Sequence, residues 1–187
     1  MKFLVLNHHS DYLPELVNYF NEKKIRFDLL EPLDADFSLK YNGIIASGGV
    51  LPNNNRKIIL EQYKDFLSKT QTPFFGICLG LKILGHCHGA RIKKIDFFEG
   101  KTQINFFQEF PLLSNTKTLN AFESHGFELI EPLPSTLENF AFSNVSKVEA
   151  IRVKNKQQFA VQFHPEKSEE GLIILDNFID LCNKSTK

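Results

Sequence analysis

The sequence predicts an α/β fold in which a mostly parallel central sheet, flanked by helices, carries a small antiparallel β insertion. Two patterns predict it. Up to Gly89, short apolar runs of strand length alternate with segments whose apolar residues recur at helical spacing, the arrangement that builds parallel strands joined by helical crossovers. Beyond Gly89 the texture shifts to short β-like pieces separated by Pro111, Pro132 and Pro134, before a last apolar strand and a closing helix. The 187-residue length suits one domain with a sizeable core, and no repeat, low-complexity tract or linker divides it, so residues 1–187 are read as a single domain.

The elements follow in order. Lys2 to Asn7 is an apolar run that turns polar, hence a first strand, and after Pro14 the stretch Glu15 to Lys23 sets Leu16, Val17, Tyr19 and Phe20 at helical spacing. Ile25 to Leu30 reads as a second strand and Asn42 to Ser47 as a third, closing on Gly48-Gly49. Between the Asn53-Asn54-Asn55 turn and Thr70, residues Ile58, Ile59, Tyr63, Phe66 and Leu67 mark a helix, and Pro73 to Ile77 gives a fourth, buried strand. A helix from about Leu79 to His86 comes next. The antiparallel pieces are expected around Lys101 to Phe107, Lys117 to Phe122 and Lys147 to Lys154. Phe159 to Phe163 is the last strand, and Glu169 to Asn183 the closing helix, with Leu172, Leu175, Phe178 and Ile179 available to the core.

Composition excludes several classes of function. Lys plus Arg (22) balance Asp plus Glu (22), so no global field draws in nucleic acid or an anionic membrane. No apolar run approaches the roughly 20 residues that span a bilayer, and the start turns polar at Asn7-His8-His9, which points to a cytoplasmic protein. Cys78, Cys87 and Cys182 are odd in number and widely spaced, which argues against a disulfide framework. The nineteen Phe lie mostly in apolar runs, where core packing accounts for them.

The chemistry centres on Gly76-Ile77-Cys78-Leu79-Gly80, placed where the fourth strand meets the next helix. A nucleophile at a sharp strand-to-helix turn adopts strained backbone angles, and flanking glycines remove the Cβ atoms that would collide there. The helix N-terminus favours a thiolate, and nearby backbone N–H groups can bind an oxyanion. Alone, the motif also fits a buried structural cysteine. Phe163-His164-Pro165-Glu166 supplies a base at a strand end, with a carboxylate two residues on that can orient the imidazole.

Other candidates carry blander readings. Gly85-His86-Cys87-His88-Gly89 contains metal-ligand types, but adjacent positions at a helix end point apart, so a helix C-terminus capped by Gly89 is favoured and no metal site is assigned. His8 and His9 read as loop residues at the rim of the site, Cys182 as core, and Arg91-Ile92-Lys93-Lys94 as solvated surface able to face an acidic partner. No Walker-type phosphate loop is present.

Together, Ser47-Gly48-Gly49, Gly76 to Gly80 and Val161 to Glu166 resemble the pattern of class I glutamine amidotransferases, in order and at about the family's spacing, over nearly the whole chain. The resemblance implies that family's flavodoxin-like fold and its chemistry. By that resemblance, Cys78 would attack the glutamine side-chain amide, His164 would move protons and Glu166 would orient His164. The same resemblance implies an oxyanion hole from the N–H groups of Gly49 and Leu79, beside Gly48. Lys82 and His125 are further substrate-site candidates, His125 also as a contact to a synthetase partner. Within the family, the length and Glu123-Ser124-His125 are most similar to the separate glutaminase subunits of archaeal-type GMP synthases. That likeness implies L-glutamine as substrate and an ATP-pyrophosphatase (GMP synthase) subunit as partner. No cofactor is implied in this chain, ATP and Mg being expected on the partner. His164 to Ser168 also resembles the glutaminase subunit of imidazole glycerol phosphate synthase, and the same residues are compatible with a stand-alone γ-glutamyl hydrolase or peptidase and with a non-catalytic regulatory subunit. Leu81-Lys82 stands where the family has His-Gln, which puts a cation in place of an amide. Val50 replaces the usual Pro, and Phe127-Glu128 stands where an Asp is usual.

Overall fold

The computed structural model describes residues 1–184; the last three residues of the domain expected over 1–187 lie outside the described residues. Its parallel strands are β1 (Lys2–His8), β2 (Arg26–Leu30), β3 (Gly43–Gly49), β4 (Phe74–Ile77) and β9 (Gln158–Val161). Between β4 and β9 the chain adds β5 (Arg91–Phe106), β6 (Thr118–Ile130), β7 (Leu137–Phe142) and β8 (Ala150–Val153). All nine form one sheet in the order β2-β1-β3-β4-β9-β8-β7-β5-β6, parallel as far as β9 and antiparallel beyond it.

Alternation along the strands explains the layers. On β1, Phe3 and Val5 face one way, onto α1 (Leu13–Glu22) and α4 (Glu169–Lys184), while Leu4 and Leu6 face α2 (Arg56–Lys69) and α3 (Leu79–Cys87). The same split separates Ile45 from Ile44 and Ala46, Phe75 and Ile77 from Phe74, and Phe159 and Val161 from Ala160. Strands buried on both faces read as unbroken apolar runs, which is why these were visible in sequence. Phe178 of α4 packs its ring 5.4 Å from Phe75 and 6.5 Å from Phe3, centroid to centroid. Among the described residues no helix is long and apolar enough to cross a membrane.

The antiparallel arm is longer than its sequence pieces. Lys101 to Phe107 and Lys117 to Phe122 are only the inner ends of β5 and β6, whose pairing runs from Asn105–Thr118 out to Arg91–Ile130, with a register shift between Lys94 and Phe98. The basic run Arg91 to Lys94 is therefore the exposed start of a strand, and Lys93 pairs with Glu128 at 2.8 Å. Because Arg91 to Glu99 is largely exposed, it carries no apolar alternation to betray it. The arm curls. Four junctions separate β6 from β9, yet the Phe122 carbonyl accepts the N–H of His164 at 2.8 Å, so β6 closes over the C-terminal ends of the parallel strands.

Candidate active site

Cys78 stands at the turn from β4 into α3 with φ 49° and ψ −90°, while its N–H donates to the Val161 carbonyl of β9 at 2.8 Å. A positive φ costs a non-glycine residue about 1–3 kcal/mol and persists only where the surroundings impose it. Here they do. A Cβ on Gly76 would stand 2.5 Å from the Gly80 backbone, and one on Gly80 would stand 2.6 Å from the Ala46 carbonyl oxygen, so β3, β4 and α3 approach this closely only through glycine. The thiol is thereby fixed at the N-terminus of α3, where the N–H groups of the first turn lack partners within the helix.

His164 follows β9 and precedes the 3₁₀ turn Pro165–Lys167, whose rigid start sets Glu166 beneath the imidazole, with Nδ1 2.8 Å from Glu166 Oε1. Nδ1 is thus the protonated nitrogen that donates to the carboxylate, and the ring also hydrogen-bonds the Cys78 side chain. Gly48 makes room for this ring, since a Cβ there would meet His164 Cε1 at 2.7 Å and Cys78 Cβ at 3.5 Å. Gly49, at φ 118°, pairs with His8 across β1 and β3. Tyr12, in the loop before α1, sets its ring edge-on to His164 with centroids 4.6 Å apart, and Lys167 lies 4.8 Å above the Tyr12 ring centroid. Nothing in the sequence around Tyr12 singled it out.

On the α3 side, Lys82 is one helical turn past Cys78 and so shares its face. Its Nζ donates to the Cys78 carbonyl at 3.2 Å and approaches Sγ at 3.5 Å, although the residue is only 7% exposed. Gln162 Nε2 lies 3.6 Å from Sγ and the Ser124 carbonyl 3.8 Å. Behind them is a buried polar cluster. His125 Nε2 is 2.6 Å from Glu123 Oε2, and Ser143 donates to Glu149 Oε1 at 2.7 Å. His125 is thus an interior residue engaged with Glu123, not a surface contact for a partner. Glu149 carried no signal in sequence, and Gln162 lay inside the Val161 to Glu166 motif without a role of its own. Along β6 the alternation turns Glu123 and His125 the same way as Leu119 and Ala121, a signal that lies partly beyond the piece expected over Lys117 to Phe122.

These neighbours decide the charges. Burial pushes the Cys78 thiol up, but Lys82 first, then His164 and His125, outweigh it and bring its pKa down to about 6. Burial works against the His164 cation, yet hydrogen bonds to Cys78 and Glu166 and the charges of both raise its pKa to about 10. Between those values the site holds a thiolate beside an imidazolium. Burial and the adjacent Glu123 carboxyl push Glu149 well above the usual carboxylate range, so it keeps its proton.

The remaining candidates fall elsewhere. His8 is not a rim loop residue: it ends β1, 1% exposed. Its Nδ1–H donates to the Ser47 carbonyl at 3.0 Å, and Tyr63 Oη donates to Nε2 at 2.8 Å. Burial drives its pKa to about 4, so it is a neutral brace for the Gly48-Gly49 strand end. His9 is exposed and lies 3.2 Å from Glu31. Gly89, at φ 86°, closes α3 with the paired bonds of a Schellman turn, Ala90 N–H to Gly85 and Gly89 N–H to His86, both at 2.9 Å. Burial raises Cys87 and Cys182 each to about 12, and Cys182 is core. Among the described residues no group of three or more His, Cys, Asp or Glu side chains is placed to hold a metal ion.

A thiolate at a strained elbow on a parallel sheet, with an imidazolium and carboxylate beside it, is the equipment of a cysteine-dependent acyl-transfer enzyme. The particular family is settled by comparison. The profile of the class-I glutamine amidotransferases matches residues 4–181, and the chain belongs to that family. The chain is 33% identical over 156 residues to the A subunit of the glutamine-hydrolysing GMP synthase of Picrophilus torridus, covering 81% of this chain and 82% of that one. It is 31% identical over 187 residues to the protein of that name from Methanococcus aeolicus, covering 96% of each. Among solved structures, a Thermoplasma acidophilum protein provisionally described as the A subunit of a GMP synthase superposes with a TM-score of 0.89 at 23% identity, covering 100% of this chain and 96% of that one. A glutamine amidotransferase of Thermotoga maritima gives 0.73 at 20%, covering 100% and 85%. At those identities the two structures speak for the fold alone.

Proposed function

We propose that this chain is the glutaminase subunit of a GMP synthase, hydrolysing L-glutamine and passing ammonia to an ATP-pyrophosphatase subunit that aminates XMP in the cytoplasm. The observation that carries it is the Cys78 elbow held against His164, with Glu166 2.8 Å behind the imidazole, in a chain whose relatives carry the name of the GMP synthase A subunit.

In this reading Cys78 Sγ forms a bond to the side-chain amide carbon, and the carbonyl π electrons move onto oxygen. The N–H groups of Gly49 and Leu79 receive that oxyanion, Leu79 as the first residue of α3 and Gly49 through its unusual φ. His164 gives its Nε2 proton to the departing nitrogen, and the C–N bond breaks to leave a γ-glutamyl thioester and ammonia. Neutral His164 then takes a proton from water as the water oxygen attacks the thioester. Collapse releases glutamate and restores the thiolate and imidazolium. Glu166 holds the tautomer through both steps. ATP and Mg belong to the partner, and residues 1–187 act as one domain.

The test is reconstitution with the synthetase subunit. Cys78→Ala abolishes glutamine-dependent GMP formation and leaves ammonia-dependent formation intact. Equal loss of both activities would sink the assignment. A strong preference for γ-glutamyl peptides over glutamine would move the chain to the hydrolase class.

A further inference from the structure

We propose that Lys82 is a catalytic cation that holds Cys78 as a thiolate before glutamine arrives, with the thiolate as its counter-ion in the buried cluster. The proposal rests on the glutaminase reading for the identity of the nucleophile. It adds a residue that the Cys–His–Glu arrangement does not require.

Four observations carry it. First, a lysine this buried is unusual unless something balances its charge. Second, its position fixes its target. One helical turn beyond the N-cap, Nζ reaches back over α3 to the Cys78 carbonyl at 3.2 Å and Sγ at 3.5 Å, and the carbonyl offers only a partial charge. Third, the acids in the cluster are otherwise engaged. Glu123 on β6 is bound to His125 at 2.6 Å. Glu149, just before β8, keeps its proton and accepts from Ser143. Glu123 Oε1 and Glu149 Oε2 have no other hydrogen-bond partner, which a proton shared between the two carboxyls satisfies. Glu166 is bound to His164 at 2.8 Å. Fourth, the charge of the ammonium is the largest single contribution favouring the thiolate, ahead of either the hydrogen bond or the charge of His164 taken singly.

The groups in contact with Sγ are therefore Lys82 from α3 and His164 after β9, with Gln162 Nε2 and the Ser124 carbonyl, while His125 of β6, bound to Glu123, acts on it through charge alone. The family position usually occupied by an amide would give a hydrogen bond without a charge. Here an ammonium provides a second cation, so in the free enzyme the thiolate is held by Lys82 as well as by His164.

The experiment is the pH dependence of Cys78 alkylation by iodoacetamide, read with the ultraviolet thiolate absorbance, in the full chain, with Cys78→Ala as the blank for Cys87 and Cys182. The wild-type midpoint is expected near 6. Lys82→Met, of similar length without charge, moves it up by about 1–2 units and slows alkylation at about pH 7 by roughly two- to tenfold as the thiolate fraction falls. Lys82→Gln restores the amide and shifts the midpoint likewise; it decides the matter should the Met variant not fold. A midpoint that stays at the wild-type value in a folded Lys82 variant overturns the proposal. Glutamine hydrolysis by the wild type, alone and with the synthetase, is measured in parallel. Its absence would refute the glutaminase reading without moving the thiol midpoint, so the two failures are distinguishable.

Discussion

Replacing Glu166 with Gln removes the charge that faces His164 while keeping the shape of the side chain. His164 is raised from its ordinary 6.5 to about 10, a rise of about 3.5 units, or about 5 kcal/mol favouring the protonated ring at about 1.4 kcal/mol per unit. Both groups are almost fully buried, so solvent screening takes little of this away. The rise is supported from two sides, by Cys78 and by Glu166, each through a hydrogen bond and a charge. Assigning half to each predicts that Glu166→Gln lowers the His164 pKa by about 2 units, to roughly 8. The sign for activity follows directly. Hydrolysis rises as the Cys78 thiol loses its proton near pH 6 and falls as His164 loses its proton near pH 10, so the variant keeps the acid limb and loses the alkaline one early. Its maximum rate also falls by roughly 10²-fold, because the amide no longer holds one tautomer. Imidazole nitrogen shifts followed by NMR give the pKa, and glutamine hydrolysis with the synthetase gives the profile. An imidazole that titrates within about half a unit of the wild type would refute the charge partnership, whatever the rate does.

Two further perturbations probe the frame around the pair. Gly48→Ala puts a Cβ 2.7 Å from His164 Cε1, so the ring must move; glutamine hydrolysis falls by roughly 10²-fold while the melting temperature drops only a few degrees, and an unaffected rate would show that the ring has room to spare. Tyr63→Phe deletes the hydroxyl that donates to His8 Nε2, leaving a buried acceptor unpaired at a cost of about 1–3 kcal/mol. Chemical denaturation measures that cost, and a loss below about 0.5 kcal/mol would deny His8 its bracing role.

The parts of the site legible in sequence are those encoded locally. The elbow is five consecutive residues, and His164 and Glu166 are two apart, so their relation is set by one rigid turn after a recognisable strand. The central strands were legible for a similar reason, since burial on both faces leaves an uninterrupted apolar run. What escaped depends on the curl of the antiparallel arm. Arg91 to Glu99 is a largely exposed strand with no pattern to show, and without it nothing places β6 over the ends of β4 and β9. The contacts of Ser124, Glu123 and Glu149 with the neighbourhood of Cys78 therefore arise between segments separated by tens of residues. Tyr12 reaches His164 from a loop before α1, across an even longer interval.

Around Cys78, burial separates structure from chemistry, both for Lys82 and His125, which were candidates from the sequence, and for Glu123 and Glu149, which were not. Lys82, Glu123, His125 and Glu149 all occupy interior positions, and burying such groups costs more than burying apolar residues of similar size, even when they are paired. Their neighbours on the same strands and helix, Leu119, Ala121, Leu81 and Ile83, are ordinary core residues, so the scaffold could have been completed without charge. For these four residues the conflict with local burial falls at one place, around Cys78. On β6 it was foreshadowed by the alternation that turns both Glu123 and His125 inward, and on α3 by the four-residue spacing from Cys78 to Lys82. An ionisable residue whose periodicity sends it to the interior, next to a residue already suspected of chemistry, is the pattern that joins Glu123 and Glu149 to the candidates Lys82 and His125.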